Sequence, residues 1–319
     1  MESELIEHLR RRIPSHPRLL LGLGDDAAIL QMADVEQCVM TVDLLTDQVD
    51  FELQKVDPRR VGRKALAVNL SDLAAMAAEP MAGVVALALP RSGGLELAEK
   101  IYEGLLPLAD EYELAIAGGD TNSWDGPLAL SVTLIGKVLS GKDADGPKAL
   151  RRDGARPGDR IIVTGRFGGS ILGRQFDFNP RVREAMLLNR QYRLHAGIDV
   201  SDGLSIDLSR VVKESGCGAM LDLDAVPVSE DAQRLAVQLD DGSTALQHAL
   251  TDGEDFELIL AVPPQEASRM LTDRPLDVLL SDVGCFVEEA GLWQTDSGQT
   301  DSGNCKRKLI PRGWEHEFD

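Results

Sequence analysis

The sequence predicts an α/β chain of two domains, and three observations carry that reading. The chain has 319 residues, too many for one ordinary core and enough for two domains of usual size. Strand-like and helix-like stretches alternate through its first half, the pattern of mixed α/β architectures. A segment dense in glycine, proline and charge, SGKDADGPKALRRDGARPGD, divides the chain near its middle. The expected divisions are an N-terminal domain over 1–140, a linker over 141–159 and a C-terminal domain over 160–319.

The elements follow in order. MESELIEHLRRR reads as a charged amphipathic helix rather than a secretion signal. CVMTVD (38–43) is a short β-rich run ending in an aspartate. DPRRVGRKALAVNLSDLAAMAAEP (57–80) opens with an Asp N-cap and a proline at the first helical position, and stops at Pro80. MAGVVALALP (81–90) reads as a buried strand closed by proline. LELAEKIYEGLLPLADEY (95–112) has helical spacing, ELAIAGGD (113–120) is a strand entering a glycine turn, and LALSVTLIGKVL (128–139) is a further strand. In the second half RIIVTGRFGGSILG is a strand with a glycine-rich turn. GIDVSDGLSIDLSRVVKESG (197–216) is a turn feeding a helix that ends at Gly216, and ELILAV (257–262) is a strand. The tandem QTDSGQTDSG (294–303) reads as a solvated loop without chemistry.

Composition excludes some functions. Lys plus Arg total 33 against 53 Asp plus Glu, a formal net charge of −20. Phosphate-backbone binding relies on Lys and Arg, so no nucleic acid is expected. An anionic membrane surface would repel the chain, and no apolar run approaches the ~18 residues of a span. Cys38, Cys217, Cys285 and Cys305 show no CxxC pair or zinc spacing; three of them sit in apolar or glycine-rich context and read as inert fillers, and the chain reads as reduced and cytoplasmic.

The unusual feature is aspartate placed in apolar or glycine-turn context. Asp25 and Asp26 sit in LGLGDDAAIL with no basic residue nearby in sequence. Asp43 ends the TVD strand, Asp120 follows Gly118–Gly119, and Asp199 and Asp202 stand just before a helix. On a helix, Val61, Ala65, Val68, Asp72 and Met76 share one face, so Asp72 interrupts an apolar stripe. A carboxylate buried there without a partner is costly. An ion pair with Lys64 or Arg63, or a helix break at 69–71, would relieve that cost; so would a metal ion. Oxygen donors without His or Cys suit a hard cation such as magnesium. Turn-forming and N-cap roles account for Asp202 but less well for Asp72 and Asp43.

Magnesium held by carboxylates points to polyphosphate chemistry. No GxxxxGK[ST] loop is present, and GRFGGSILG lacks the lysine. The nucleotide site is therefore of another type.

GDDAA, TVD, KALAVNLSDLAAM, AGGDT, VTGxxGxS, IDVSDGL and GEDFEL occur in that order. Together they resemble the thiamine-monophosphate kinase family, over about residues 20–315. That family is related to aminoimidazole-ribonucleotide synthetase and selenophosphate synthetase. The resemblance implies a two-domain synthetase-like fold and a homodimer whose N-terminal sheets join in a barrel-like core. It implies transfer of the γ-phosphoryl of ATP to thiamine phosphate. Magnesium ligands would be Asp26, Thr41, Asp43, Asp72, Asp120, Asp199 and Asp202. ATP would meet Tyr102, Gly119, Asp120, Arg152 and Ser201, and the thiamine part Glu254 and Trp314. The N-terminal domain would bind ATP and magnesium and dimerise, and the C-terminal domain would complete the nucleotide and thiamine sites. No catalytic side chain is expected beyond the metal cluster and Arg152.

Two departures stand out. Asp50 occupies the place of a substrate-touching histidine in the family pattern, and Val42 replaces a commonly polar residue before Asp43. Two other classes remain open at this point. One is another ATP-dependent enzyme of the superfamily, although Cys38 follows the first aspartate motif, where a selenophosphate synthetase would place its reactive residue ahead of it. The other is a non-catalytic divalent-cation-binding module.

Overall fold

A computed structural model of the chain describes residues 19–21, 25, 27–30, 37–138, 148–295 and 306–315. The expected N-terminal helix, Asp26, residues 141–147 of the expected linker, Cys305 and most of the QTDSGQTDSG run lie outside the described residues.

The first half contains β1 (Leu19–Leu21), β2 (Ala28–Leu30), β3 (Cys38–Thr46), α1 (Pro58–Ala75), β4 (Ala78–Pro90), α2 (Gly94–Glu111), β5 (Ala115–Trp124) and β6 (Ala129–Val138). The second half contains β7 (Arg160–Thr164), α3 (Arg174–Asp177), α4 (Val182–Gln191), β8 (Ala196–Asp199), α5 (Leu204–Ser215), β9 (Gly218–Asp222) and α6 (Glu230–Leu239). It continues with α7 (Ala245–Thr251), β10 (Leu258–Val262), α8 (Pro264–Asp273), β11 (Leu280–Val287), β12 (Gly291–Thr295) and β13 (Arg307–Lys308). One sheet has the order β1-β2-β3-β6-β4-β5, the other β13-β12-β9-β11-β7-β10-β8. This is the mixed α/β architecture expected. Pairing is antiparallel except for β4 with β5 and β12 with β9.

Period-two alternation builds β3. Val39, Thr41 and Leu45 turn inward, whereas Met40, Val42 and Leu44 stay exposed on the sheet's open face. The inward face is covered by α1, which also packs on β8, α3 and α4. One helix is thus shared by both halves. Asp57 caps it, accepting the Arg59 N–H at 2.9 Å, with Pro58 in the first turn. α1 and α2 meet backbone to backbone. A Cβ on Gly62 would stand 2.0 Å from the Ile101 carbonyl oxygen, and one on Gly104 would stand 1.7 Å from that of Arg59.

Three expected boundaries are corrected. The helix drawn to Pro80 ends at Ala75. Ala77 takes a left-handed φ of 52°, and Pro80 lies inside β4, beside a register shift with β6 and ahead of the first β5 pair at Ala82. Pro80 pairs with Gly136 of β6 only, next to that irregularity, and a strand tolerates proline at such an edge position. Asp43 is interior to β3, which runs on to Thr46. Likewise, β5 passes through Gly118–Gly119 to Trp124. Ala117 is left between the pairs Ile116–Gly83 and Gly118–Val84, so the glycines make a bulge rather than a turn.

Candidate active site

A cleft of about 690 Å³ is lined from both halves, by Asp43 and Asp50 at β3 and beyond it, Lys64 and Val68 of α1, Ser201, Asp202, Glu254 and Trp314. Outside that lining, α1 also carries a polar seam between the two sheets. Thr41 Oγ1 donates to the Asp72 carboxylate, and Ser71 Oγ donates to Asp199 Oδ2 at 2.5 Å. Two consecutive helix residues therefore tie β3 of one sheet to β8 of the other. The helix is unbroken across 69–71. Lys64 is committed elsewhere, and Arg63 donates to the Phe176 carbonyl and to Asn179 Oδ1, each at 3.1 Å. Neither the proposed break nor those two ion pairs explains Asp72.

The SDG turn is held from below. Asp207 Oδ2 accepts the N–H groups of Asp202 and Gly203, both at 3.0 Å. Arg210 Nη1 bridges Asp202 Oδ2 and Asp207 Oδ1, each at 2.5 Å. Gly203 has φ 134°, and a side chain there would press on the backbone of Leu250 and Thr251.

The three acids of GEDFEL diverge. Glu254 has a left-handed φ of 52°; its N–H donates to the Ser201 carbonyl at 2.6 Å, and its carboxylate accepts from Lys64. Burial pushes the Glu254 carboxyl up, and Lys64 opposes that shift. Asp255 accepts the Gly168 N–H at 2.9 and 3.0 Å and Arg174 Nη2 at 2.6 Å. Burial pushes its carboxyl up to about 8 against the pull of Arg174. Glu257 accepts Arg181 Nε at 2.7 Å, Arg181 Nη2 at 2.5 Å and Thr164 Oγ1 at 2.7 Å. Of the three, Glu254 lines the cleft; the other two fix the glycine-rich turn and β7.

Arg152 explains Asp25. Its N–H donates to Asp25 Oδ2 at 3.1 Å, and its Nε stands 3.8 Å from Oδ1. The basic partner absent from the local sequence comes from 127 residues away. Trp314 is carried to the cleft by its N–H, which donates to the Asp202 carbonyl at 2.9 Å. Ser205 pins the preceding backbone, donating to the Arg312 carbonyl at 2.8 Å and accepting its N–H at 3.0 Å. Trp314 remains 56% exposed and lines the cleft. Asp50 lines the cleft, but its carboxylate is turned back onto Thr46, accepting the N–H at 2.7 Å and Oγ1 at 3.3 Å.

Of the expected site residues, Thr41, Asp72, Asp199 and Arg152 stand outside the lining of the cleft, and three more lie away from it in a single chain. Tyr102 lies on α2, packed against the first core. Asp120 shares a register row with Ala86, Ser131 and Leu44. That places it three strands from Leu44, ~14 Å at the usual spacing, exposed on the edge strand. Neighbouring Gly119 admits no side chain, because a Cβ would stand 1.9 Å from the Val85 carbonyl.

The donors Thr41, Asp43, Asp72, Asp199 and Asp202 are all oxygens, which fits magnesium. Among the described residues, no three His, Cys, Asp or Glu side chains converge closely enough to hold an ion as they stand. The described cysteines, Cys38, Cys217 and Cys285, are free, and burial pushes the Cys38 and Cys217 thiols up, away from the reactive thiolate. Sequence gives no site role to Ser71, Arg174, Arg181 and Arg210, and offers Lys64 only as a partner for Asp72, whereas it serves Glu254. Lys64 and Ser71 lie inside KALAVNLSDLAAM and Arg210 stands three residues after Asp207 on one helix, but nothing in sequence pairs Arg174 or Arg181 with GEDFEL.

Two family models match the chain: AIR synthase related protein, N-terminal domain, over residues 24–138, and its C-terminal domain over 156–278. The thiamine-monophosphate kinase of Rhodopirellula baltica is 41% identical, covering 99% of this chain and 97% of that protein. That of Salmonella typhimurium is 38% identical, covering 82% and 81%. Among solved structures, the thiamine-monophosphate kinase of Stenotrophomonas maltophilia K279a matches with a TM-score of 0.69 at 35% identity, covering 93% and 96%. AaThiL complexed with AMPPCP and TMP matches with a TM-score of 0.82 at 24% identity, covering 99% and 97%. The fold is accordingly the two-domain fold of these proteins, and the chain belongs to the thiamine-monophosphate kinase family.

Proposed function

We propose that the chain transfers the γ-phosphoryl group of ATP to thiamine phosphate, giving thiamine diphosphate and ADP. One observation carries this reading: a single cleft gathers Asp43, Ser201, Asp202, Glu254 and Trp314 from four distant motifs in a chain 41% identical to a thiamine-monophosphate kinase. A relative of the same fold is complexed with AMPPCP, an ATP analogue, and TMP.

The acceptor phosphate, with a second pKa near ~6, is largely a dianion at neutral pH, so no general base is needed. An acceptor oxygen attacks the γ-phosphorus, the bond to the β–γ bridging oxygen breaks, and ADP leaves. Bound magnesium supplies charge neutralisation across the phosphates. Thr41, Asp43, Asp72, Asp199 and Asp202, with Asp26 and Asp120, would hold it. Arg152 and Ser201 would contact ATP, with Gly119, Asp120 and Tyr102. Glu254 and Trp314 would receive the thiamine rings. Asp50 would border them by its main chain, its carboxylate being engaged by Thr46.

The homodimer belongs to the same proposal. Met40, Val42, Leu44, Met81, Val84 and Trp124 are large exposed apolar side chains of the first sheet, an area that water leaves costly and a second copy would cover. The barrel-like core would form there and bring Asp120 to the junction. The division at 1–140, 141–159 and 160–319 is supported by one sheet on each side of it. Among the described residues no helix is long and apolar enough to cross a membrane, and a cytoplasmic location is supported by three free cysteines.

The test is ADP formation from ATP and magnesium, with and without thiamine phosphate, in the wild type and Asp72→Asn. Turnover that requires thiamine phosphate and is abolished by the substitution is expected. No thiamine-phosphate-dependent turnover from folded wild type sinks the reading.

A further inference from the structure

Lys64 is 1% exposed, yet it lines the cleft. A buried ammonium needs acceptors for its three N–H groups, and Lys64 has three. Nζ donates to the Asp50 carbonyl at 3.0 Å, to Gln175 Oε1 at 2.6 Å and to Glu254 Oε1. The Phe176 ring stands 5.1 Å away. The acceptors come from the turn after β3, from α3 and from the loop before β10, so the ammonium joins three walls of the cleft. Glu254 is held from its backbone as well, by its left-handed φ and its bond to Ser201. Lys64 takes Oε1; among the described residues Oε2 accepts nothing.

We propose that Lys64 is a positioning residue that presents Glu254 Oε2 as a fixed, ionised acceptor, and so sets the preference of the cleft for a ring bearing an N–H donor. This deepens the kinase reading and rests on it. A protonated carboxyl would present Oε2 as an O–H donor, and would be a poorer acceptor for an amino group than the carboxylate. Burial alone pushes Glu254 in that direction, and Lys64 is the largest opposing influence. The other charges acting on Glu254 are those of Asp50 and Asp202, both unfavourable to ionisation. The aminopyrimidine of thiamine offers an exocyclic N–H. In oxythiamine phosphate an oxygen stands in that place and would face a carboxylate oxygen, acceptor against acceptor.

The test compares thiamine phosphate with oxythiamine phosphate as substrates for wild type, Lys64→Met and Glu254→Gln, with KM and kcat determined separately. Wild type is expected to prefer thiamine phosphate. Lys64→Met is expected to raise KM for thiamine phosphate about tenfold or more, the scale of a hydrogen bond to a charged group. It is expected to hold KM for ATP and to erode the preference. Glu254→Gln keeps an acceptor for Lys64 but turns an amide N–H₂ toward the ring, so its preference is expected to invert toward the oxo compound. This second variant decides the matter if Lys64→Met does not fold. Unchanged preference in the folded variants overturns the role of Lys64 and leaves the kinase reading standing. Failure of wild type to use thiamine phosphate overturns both.

Discussion

Arg181→Met should destabilise the chain by breaking a buried pair rather than a surface one. The two side chains are 17% and 5% exposed, so screening by water is small. Glu257 loses the donors at 2.7 and 2.5 Å and keeps the Thr164 hydroxyl. Removing one partner of a buried pair leaves an uncompensated charge and costs about 3–5 kcal/mol. For a domain of 150–250 residues each kcal/mol moves the melting temperature by ~2–4 °C, so a fall of roughly 6–20 °C is expected. Circular dichroism melts at neutral pH measure it. The double variant Arg181→Met/Glu257→Gln supplies the control. Its neutral amide still accepts from Thr164, so it should recover part of the loss. A loss below about 1 kcal/mol in the single variant, or no recovery in the double, refutes the argument that charge burial governs this motif.

Two further outcomes follow from packing and titration. Gly104→Ala forces a methyl group to within 1.7 Å of the Arg59 carbonyl oxygen. Separating α1 from α2 should cost ~1–3 kcal/mol, outweighing alanine's ~1 kcal/mol helical advantage, and an unchanged or raised melting temperature contradicts it. The Tyr112 hydroxyl donates to the Pro180 carbonyl at 2.8 Å, and burial pushes it up to about 12. An acid raised on folding contributes stability that is whole below its ordinary value of 10.0 and is lost as pH rises through about 12. The absorbance titration lost in Tyr112→Phe should lie above pH 10; titration of that group at its ordinary value rules out the burial.

Motifs were legible because they are contiguous; partnerships were not, because they are spatial. TVD, SDG, GEDFEL and Trp314 were readable as site residues, and all four reach one cleft. Lys64, weighed as a partner for Asp72, instead serves Glu254, 190 residues away. Asp25 looked unpartnered until the fold brought Arg152 to it. From sequence, β3 and β5 read as ending early, because an aspartate after apolar residues, and a glycine pair, both look like turns. Strand pairing overrode both signals: β6 pairs with β3 to Thr46, and β4 pairs with β5 to Trp124. The helices α4, α6 and α8 have apolar faces of ordinary helical spacing but carry none of the chemistry-bearing motifs.

Because α1 is walled in by two halves, thirteen of its eighteen residues are buried. A helix with one wet side can drift along that side, and what survives in its sequence is a stripe. This helix has almost no wet side. Ala65, Ala67, Ala74 and Ala75 are fully enclosed, so even a single added carbon would press on one half or the other. The tolerance of such a segment is set by two independent surfaces at once. Its vocabulary therefore reduces to an unbroken string of small and exactingly placed residues, and KALAVNLSDLAAM can be read as one continuous word rather than as every third or fourth letter.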